Sequence, residues 1–244
     1  LGMGYYVEAI SMEPRQDFYY LNLGRSLMTI ADYKRQSGSG DLGQPKPNAS
    51  INDLLQTGGG EAAAQFVYDQ SALAALNYAE AVLTRARELN TLNKDHYANL
   101  ARLQNFWFGR VSQEPARLQS ALDWYKQGVA IAPQDVTILN EYAGTVALMG
   151  SYLRNQGSEA EAQTYFQQAS DLLAKSKELD PRYADTDLRV TEVLRLQGRT
   201  AEAVDRYVAQ VQANPHALDG EIAQLADGLR DEPDQLRRLR EAYS

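Results

Sequence analysis

Two histidines, 32 carboxylates, 24 basic side chains and no cysteine are the chemically active inventory of this 244-residue chain. Without cysteine there are no disulfides, thiolate zinc sites, CxxC redox pairs or cysteine nucleophiles. His96 and His216 stand far apart, and neither has a second His or a carboxylate at metal-ligand spacing, so the sequence predicts no metal site. His96 follows Asn93 and Asp95 at an expected helix start, where Asn caps and Asp suits the positive end of the dipole. That setting favours a local hydrogen-bonding role. His216 follows Pro215 in a polar link and reads as exposed, and Asp185-Thr186-Asp187 lacks the continuation of a calcium loop.

Phosphate and nucleophile motifs fare no better. Neither G-x-S-x-G nor G-x-x-x-x-G-K-[ST] occurs. Gly38 to Gly43 spells G-x-G-x-x-G, but no strand precedes it, and Pro45 and Pro47 follow where a phosphate-binding helix would open. Gly58-Gly59-Gly60 precedes a helix that can in principle receive an anion; without a following Lys-Ser/Thr a flexible joint is the favoured reading. Nothing singles out a catalytic carboxylate pair. The expectation is a chain with no catalytic residues and no cofactor.

The elements that carry these residues are helices. Ala (33) and Leu (30) far outnumber Val (12) and Ile (6), a ratio that suits unbranched side chains in helices and starves a sheet. Hydrophobic residues make up 44% of the chain, enough for a core. A net charge of −8 with no basic stripe argues against nucleic acid. The opening LGMGYYVEAI has no basic region or cleavage site, and Val136–Leu153, the least charged long stretch, contains Glu141, Asn140 and Gly144 and reads as a buried helix of a soluble protein.

Short polar links recur at Pro14, Thr91, Pro133, Pro181 and Pro215, the last two 34 residues apart. Twelve residues before each of the last four links stands a small residue, Ala79, Ala121, Ala169 or Ala203. Eight before stands a bulky one, Leu83, Tyr125, Leu173 or Tyr207. Tyr6 and Ala9 fit the bulky and next places before Pro14; Tyr20, Leu23, Gly24 and Leu27 follow it in a W-x-x-L-G-x-x-Y frame. On these positions the chain resembles the tetratricopeptide repeat (TPR) family over nearly all its length. The resemblance implies an all-α, TPR-type α-solenoid, a right-handed superhelix of antiparallel helix pairs with irregular, lengthened repeats.

The expected organisation is a single superhelical domain over residues 1–244. Ser37–Gly60, with six Gly, two Pro and three Ser, is read as a flexible insert between a first helix (about 17–36) and a long second helix (about 61–90). The alternative is a segment that orders on a partner through Leu42, Ile51, Leu54 and Leu55. Residues 216–244 are read as capping helices, with Leu218, Ile222, Leu225 and Leu229, then Leu236, Leu239 and Tyr243, at helical spacing. Leu1 falls inside the second helix of a unit whose first helix is absent, leaving an apolar side open, so a fragment of a longer chain is expected.

Two stretches, Pro14-x-x-Asp17-Phe18-Tyr19-Tyr20-Leu21-x-Leu23-Gly24-Arg25 and Ala86-Arg87-x-Leu89-Asn90 through Asn93-x-Asp95-His96 to Leu103, resemble the soluble C-terminal TPR region of bacterial O-antigen ligase/polymerase-like membrane proteins. That resemblance implies a membrane-anchored parent chain and an extracytoplasmic location on a bacterial membrane.

Under the TPR frame the first helix of each pair lines a concave groove. Its lining positions include Phe18, Leu21, Asn22, Arg25 and Met28, then Asp95, Ala98, Asn99, Arg102 and Asn105. Later pairs add Thr137, Asn140, Glu141, Gly144 and Ala147, then Asp185, Leu188, Arg189, Glu192 and Arg195. The ligand candidates are Asn22, Arg25, Asn99, Arg102, Asn105, Asn140 and Arg195, whose amides and guanidinium forks match peptide backbones and carboxylates. A chaperone-tail clamp is disfavoured, because Leu21, Thr137 and Glu141 occupy clamp places. Phe106-Trp107-Phe108 and Trp124 suit either an interface hot spot or packing between repeats, and their helical spacing favours packing. The leading expectation is a non-catalytic scaffold that binds a protein or extended peptide. A carbohydrate-recognition appendage and a cytoplasmic TPR adaptor are the alternatives.

Overall fold

A computed structural model describes residues 2–37, 42–214, 216, 225–226 and 228–243. Among them there is no strand. The helices are α1 (Gly2–Met12), α2 (Asp17–Ser37), α3 (Ile51–Leu55), α4 (Gly60–Asp69), α5 (Ala72–Leu89), α6 (Lys94–Trp107), α7 (Pro115–Ile131), α8 (Val136–Asn155), α9 (Glu159–Leu179), α10 (Ala184–Leu196), α11 (Thr200–Ala213) and α12 (Pro233–Ala242). A π-helical turn, Phe108–Ser112, ends α6. The architecture is an all-helical, TPR-like solenoid type. It is organised as two compact units, Leu1–Pro133 and Gln134–Ser244.

In the first unit the pairs are α2 with α5 and α6 with α7; in the second they are α8 with α9 and α10 with α11. The repeat spacing explains why. Ala79, Ala121, Ala169 and Ala203 are all buried, and so are Leu83, Tyr125, Leu173 and Tyr207 one turn on. The α2–α5 pair shows the small-against-large logic most closely. A Cβ on Gly24 would lie 2.5 Å from Cγ and Cδ2 of Leu83, so any larger residue there would force this leucine to shift. Around that point Tyr20, Leu23, Leu27, Leu76 and Val82 close the core, each aliphatic side chain contributing about 1.5–3 kcal/mol. The lengthened third pair appears as the two long helices α8 and α9, of 20 and 21 residues.

Residues 42–60 correct the expectation of a solvated loop. Ser50 and Asp53 form a capping box that starts α3, and Leu54 of that short helix is fully buried. Burial pushes up the pKa of the Tyr78 hydroxyl and keeps it protonated, so it donates to Asp53 Oδ2 at 2.9 Å. The Lys46 ammonium lies over the rings of Phe66 and Tyr78, 5.6 and 5.5 Å from their centroids. A glycine-rich composition hid these few anchors. The long second helix is also interrupted: α4 ends at Asp69, and Ser71 opens α5 by accepting from the Ala74 N–H.

This ordered segment also packs against α1. The buried side of α1, formed by Met3, Gly4, Val7 and Ile10, packs against α2 on one flank and α4 on the other. The α1–α4 crossing is backbone on backbone: a Cβ on Gly4 would lie 2.5 Å from the Gly60 carbonyl oxygen, and one on Gly60 2.4 Å from that of Gly4. The Met3, Val7 and Ile10 side of α1 is therefore covered from within the chain, while Tyr5 and Met12 of the same helix are exposed.

At the other end, α12 matches the expected terminal helix, and Leu225, Leu229 and Leu239 are buried with Tyr207 and Val211. Leu218, Ile222 and the Pro215 link lie outside the described residues. Among the described residues no helix is long and apolar enough to cross a membrane, α8 included.

Candidate interaction surfaces

A polar junction, part-buried around His96, joins the two stretches on which the narrower resemblance rests. Asp17, the first residue of α2, accepts from Asn90 Nδ2 (3.1 Å), Asn93 Nδ2 (3.4 Å) and His96 Nε2 (2.7 Å), partners 73 to 79 residues away. Burial alone would raise the carboxyl pKa, but the hydrogen bonds from His96, Asn93 and Asn90 and the His96 charge outweigh it, and the net direction is down. An ionised carboxylate only accepts, so the proton of this pair sits on His96 Nε2. His96 is completely buried. Its side-chain partner comes from a different helix, where the sequence suggested a local hydrogen bond at the start of α6.

The predicted groove residues divide by environment. Asn140 is fully buried, and its amide donates to Thr186 Oγ1 (3.0 Å) and Asp185 Oδ2 (3.3 Å), tying α8 to α10. Asn99 is also buried; its amide donates to the Asp95 carbonyl (2.7 Å) and its oxygen accepts from Arg102 (3.3 Å). Both amides are buried and hydrogen-bonded within the protein, which corrects the expectation of groove-lining side chains at these two positions. Arg102, Asn105 and Arg195 are half-buried. Asn22 turns its amide onto the Phe18 carbonyl at 2.8 Å, while Arg25 is exposed. Leu21 is buried and Met28 packs against the core, so both leave the lining set.

What α2 does present is a stripe. Phe18, Asn22, Arg25, Thr29 and Tyr33 recur every three or four residues and share one face, opposite the buried Tyr20, Leu23, Leu27 and Ala31. Phe18 is 54% exposed and Tyr33 62% exposed. Between these rings the Arg25 guanidinium makes no hydrogen bond or ion pair among the described residues. By contrast Arg35 on the same helix is held by Asp32 at 2.9 Å. Tyr33 was missing from the sequence-based set, although its spacing of eight from Arg25 was available.

The aromatic cluster is packing. Trp107 and Phe108 are buried, and the Arg117 guanidinium covers the Trp107 ring at 3.9 Å. Trp124 contacts the Tyr97 ring in a tilted arrangement, 6.1 Å between centroids, and the Arg87 guanidinium lies over it at 5.3 Å. Nor is the α4 N-terminus open to an anion: the Glu8 carboxylate already accepts the Gly60 N–H at 3.2 Å. Gly38–Asp41, most of the G-x-G-x-x-G string, lies outside the described residues.

No protein-family profile matches the chain. Over 102 residues it is 29% identical to anaphase-promoting complex subunit 7 of Dictyostelium discoideum, a match covering 42% of this chain and 17% of that protein. The chain thus spans about a sixth of that relative's length.

Proposed function

We propose that the chain is a non-catalytic protein-interaction scaffold and that the exposed stripe of α2 is its contact surface in the first unit. The carrying observation is the Arg25 guanidinium, exposed between two exposed aromatic rings on a helix whose other face is locked into the core. Aromatic and arginine side chains dominate interface energetics, and a forked donor set between flat apolar faces suits an acidic peptide segment. The partial likeness to a protein named as a subunit of a complex supports the same reading. The bacterial-envelope setting rests on the two resembling stretches alone and forms no part of this proposal.

The test is selection from a random-peptide phage library, comparing the native chain with a Phe18→Ala, Arg25→Glu, Tyr33→Ala triple variant. Enriched acidic peptides should lose at least tenfold in binding to the variant. Its melting temperature should hardly move, since exposed substitutions typically change stability by about 0.5 kcal/mol or less. Equal binding of the same peptides by both proteins would refute the assignment.

A further inference from the structure

The second unit carries a separate feature, an apolar cleft of about 320 Å³ bounded by α9, α10 and α11. Leu173 and Ala174 of α9 form one wall, and Val190, Val193 and Leu194 of α10 form the floor. Lys177, Asp187 and Arg206 stand at its edge. Lys177 is taken by Asp187 at 2.7 Å. The two carboxylates on the same helix as Arg206 are held by other arginines: Glu202 accepts Arg199 on both oxygens, at 2.7 and 2.5 Å, and Asp205 is paired with Arg238. Arg206 itself is exposed and makes no hydrogen bond or ion pair among the described residues. Arg206 feels the Glu202 charge without being hydrogen-bonded to it, and its exposed guanidinium lines an apolar trough.

We propose that this cleft is a second docking site, for a peptide segment that presents branched aliphatic side chains next to a carboxylate. The aliphatic groups would lie against Val190, Val193 and Leu194, and the carboxylate would meet the Arg206 fork. A cleft of about 320 Å³ has room for two or three aliphatic side chains, and it also falls within the range of small-molecule pockets, about 300 to 1,000 Å³, which is why a free fatty acid is one arm of the test. The site is independent of the α2 stripe, which lies in the other compact unit.

The experiment uses the full chain and a fluorescein-labelled probe, acetyl-Ser-Leu-Glu-Leu-Ser-amide, read by fluorescence anisotropy. Two control peptides replace Glu by Lys or both Leu by Ser. The probe should bind saturably, and each control should bind at least tenfold more weakly. Arg206→Glu should weaken the probe by tenfold or more. Ala174→Trp, at an exposed position on the cleft wall, should do so by filling the space. The α2 triple variant should bind the probe normally, which separates failure here from failure of the first proposal. The inference is overturned if the probe does not bind up to 1 mM, if the Lys control binds equally, or if both cleft variants keep native affinity. Displacement of the probe by octanoate at equal concentration would also overturn it, by assigning the cleft to a free fatty acid.

Discussion

Gly4 and Gly60 offer a test whose sign is set by geometry against propensity. Both lie in helices, and neither has the positive φ that would itself demand glycine. Intrinsic propensity therefore predicts that alanine stabilises either helix, by up to about 1 kcal/mol for an interior position. The crossing predicts the reverse. A methyl on Gly4 meets the Gly60 carbonyl oxygen at 2.5 Å and its carbonyl carbon at 2.8 Å, and the reciprocal methyl meets Gly4 at 2.4 and 2.7 Å. These obstacles are main chain, so no rotamer change relieves them and α4 must move off α1. Overpacking of this kind costs about 1–3 kcal/mol. For a protein of this size each kcal/mol corresponds to roughly 2–4 °C, so Gly4→Ala should melt several degrees below the native chain. Because both methyls violate one crossing, the double variant should lose less than the sum of the singles. Circular dichroism melts supply the stability, and hydrogen exchange should show faster exchange in α1 and α4 with α7 unchanged. Alanine variants that melt at or above the native temperature, with native exchange in α1, would refute the tight crossing.

Three further outcomes are expected. Leu54→Ala should destabilise the chain by about 2–5 kcal/mol in urea titrations, a cost that a solvated loop would not show. Asp17→Asn should lower stability by about 1–3 kcal/mol at neutral pH, because buried His96 loses its ionised acceptor. The folded Asp17 pKa is depressed, so its contribution is full above the ordinary carboxylate value of about 4 and is lost as pH falls through the folded value; melts from pH 7 to pH 3 should show a flatter acid limb in the variant. Gly24→Ala should cost about 1–3 kcal/mol, and combining it with Leu83→Ala should cost less than the two changes added, as a double-mutant cycle in urea would measure.

The helix pairs were legible because their signal is local. An alanine four residues before a bulky side chain, repeated ahead of successive links, needs no knowledge of distant contacts, and all four alanines prove buried. What escaped the sequence depends on long-range partners or on a single residue outweighing a composition. Six glycines dominated the reading of residues 37–60, yet one buried leucine, one capping box and one lysine over two rings order most of that stretch. The Ser50-to-Asp53 spacing was the available signal, and so was Ser71 as a helix start. Asn140 looked like a groove ligand because its position suited one; Thr186, which takes up its amide, is 46 residues away. Arg206 has no motif at all. Its availability follows only from where Arg199 and Arg238 direct their guanidinium groups.

The Asp17 junction bears on how this architecture tolerates insertion. It fixes the start of α2 to the end of α5, and the Gly24–Leu83 contact fixes their middles. Alignment of the two helices is thus determined twice without any help from the chain that connects them. The connection leaves from the opposite end of the pair, where Lys34 of α2 bonds to the Tyr68 carbonyl of α4. Closing a longer loop adds only about 0.6 kcal/mol for each doubling of its length. New sequence can therefore accumulate between α2 and α5 without shifting one helix along the other, as long as the far end stays clasped. Such a pair is a permissive place for a repeat to acquire extra helices, and α3 and α4 occupy that place.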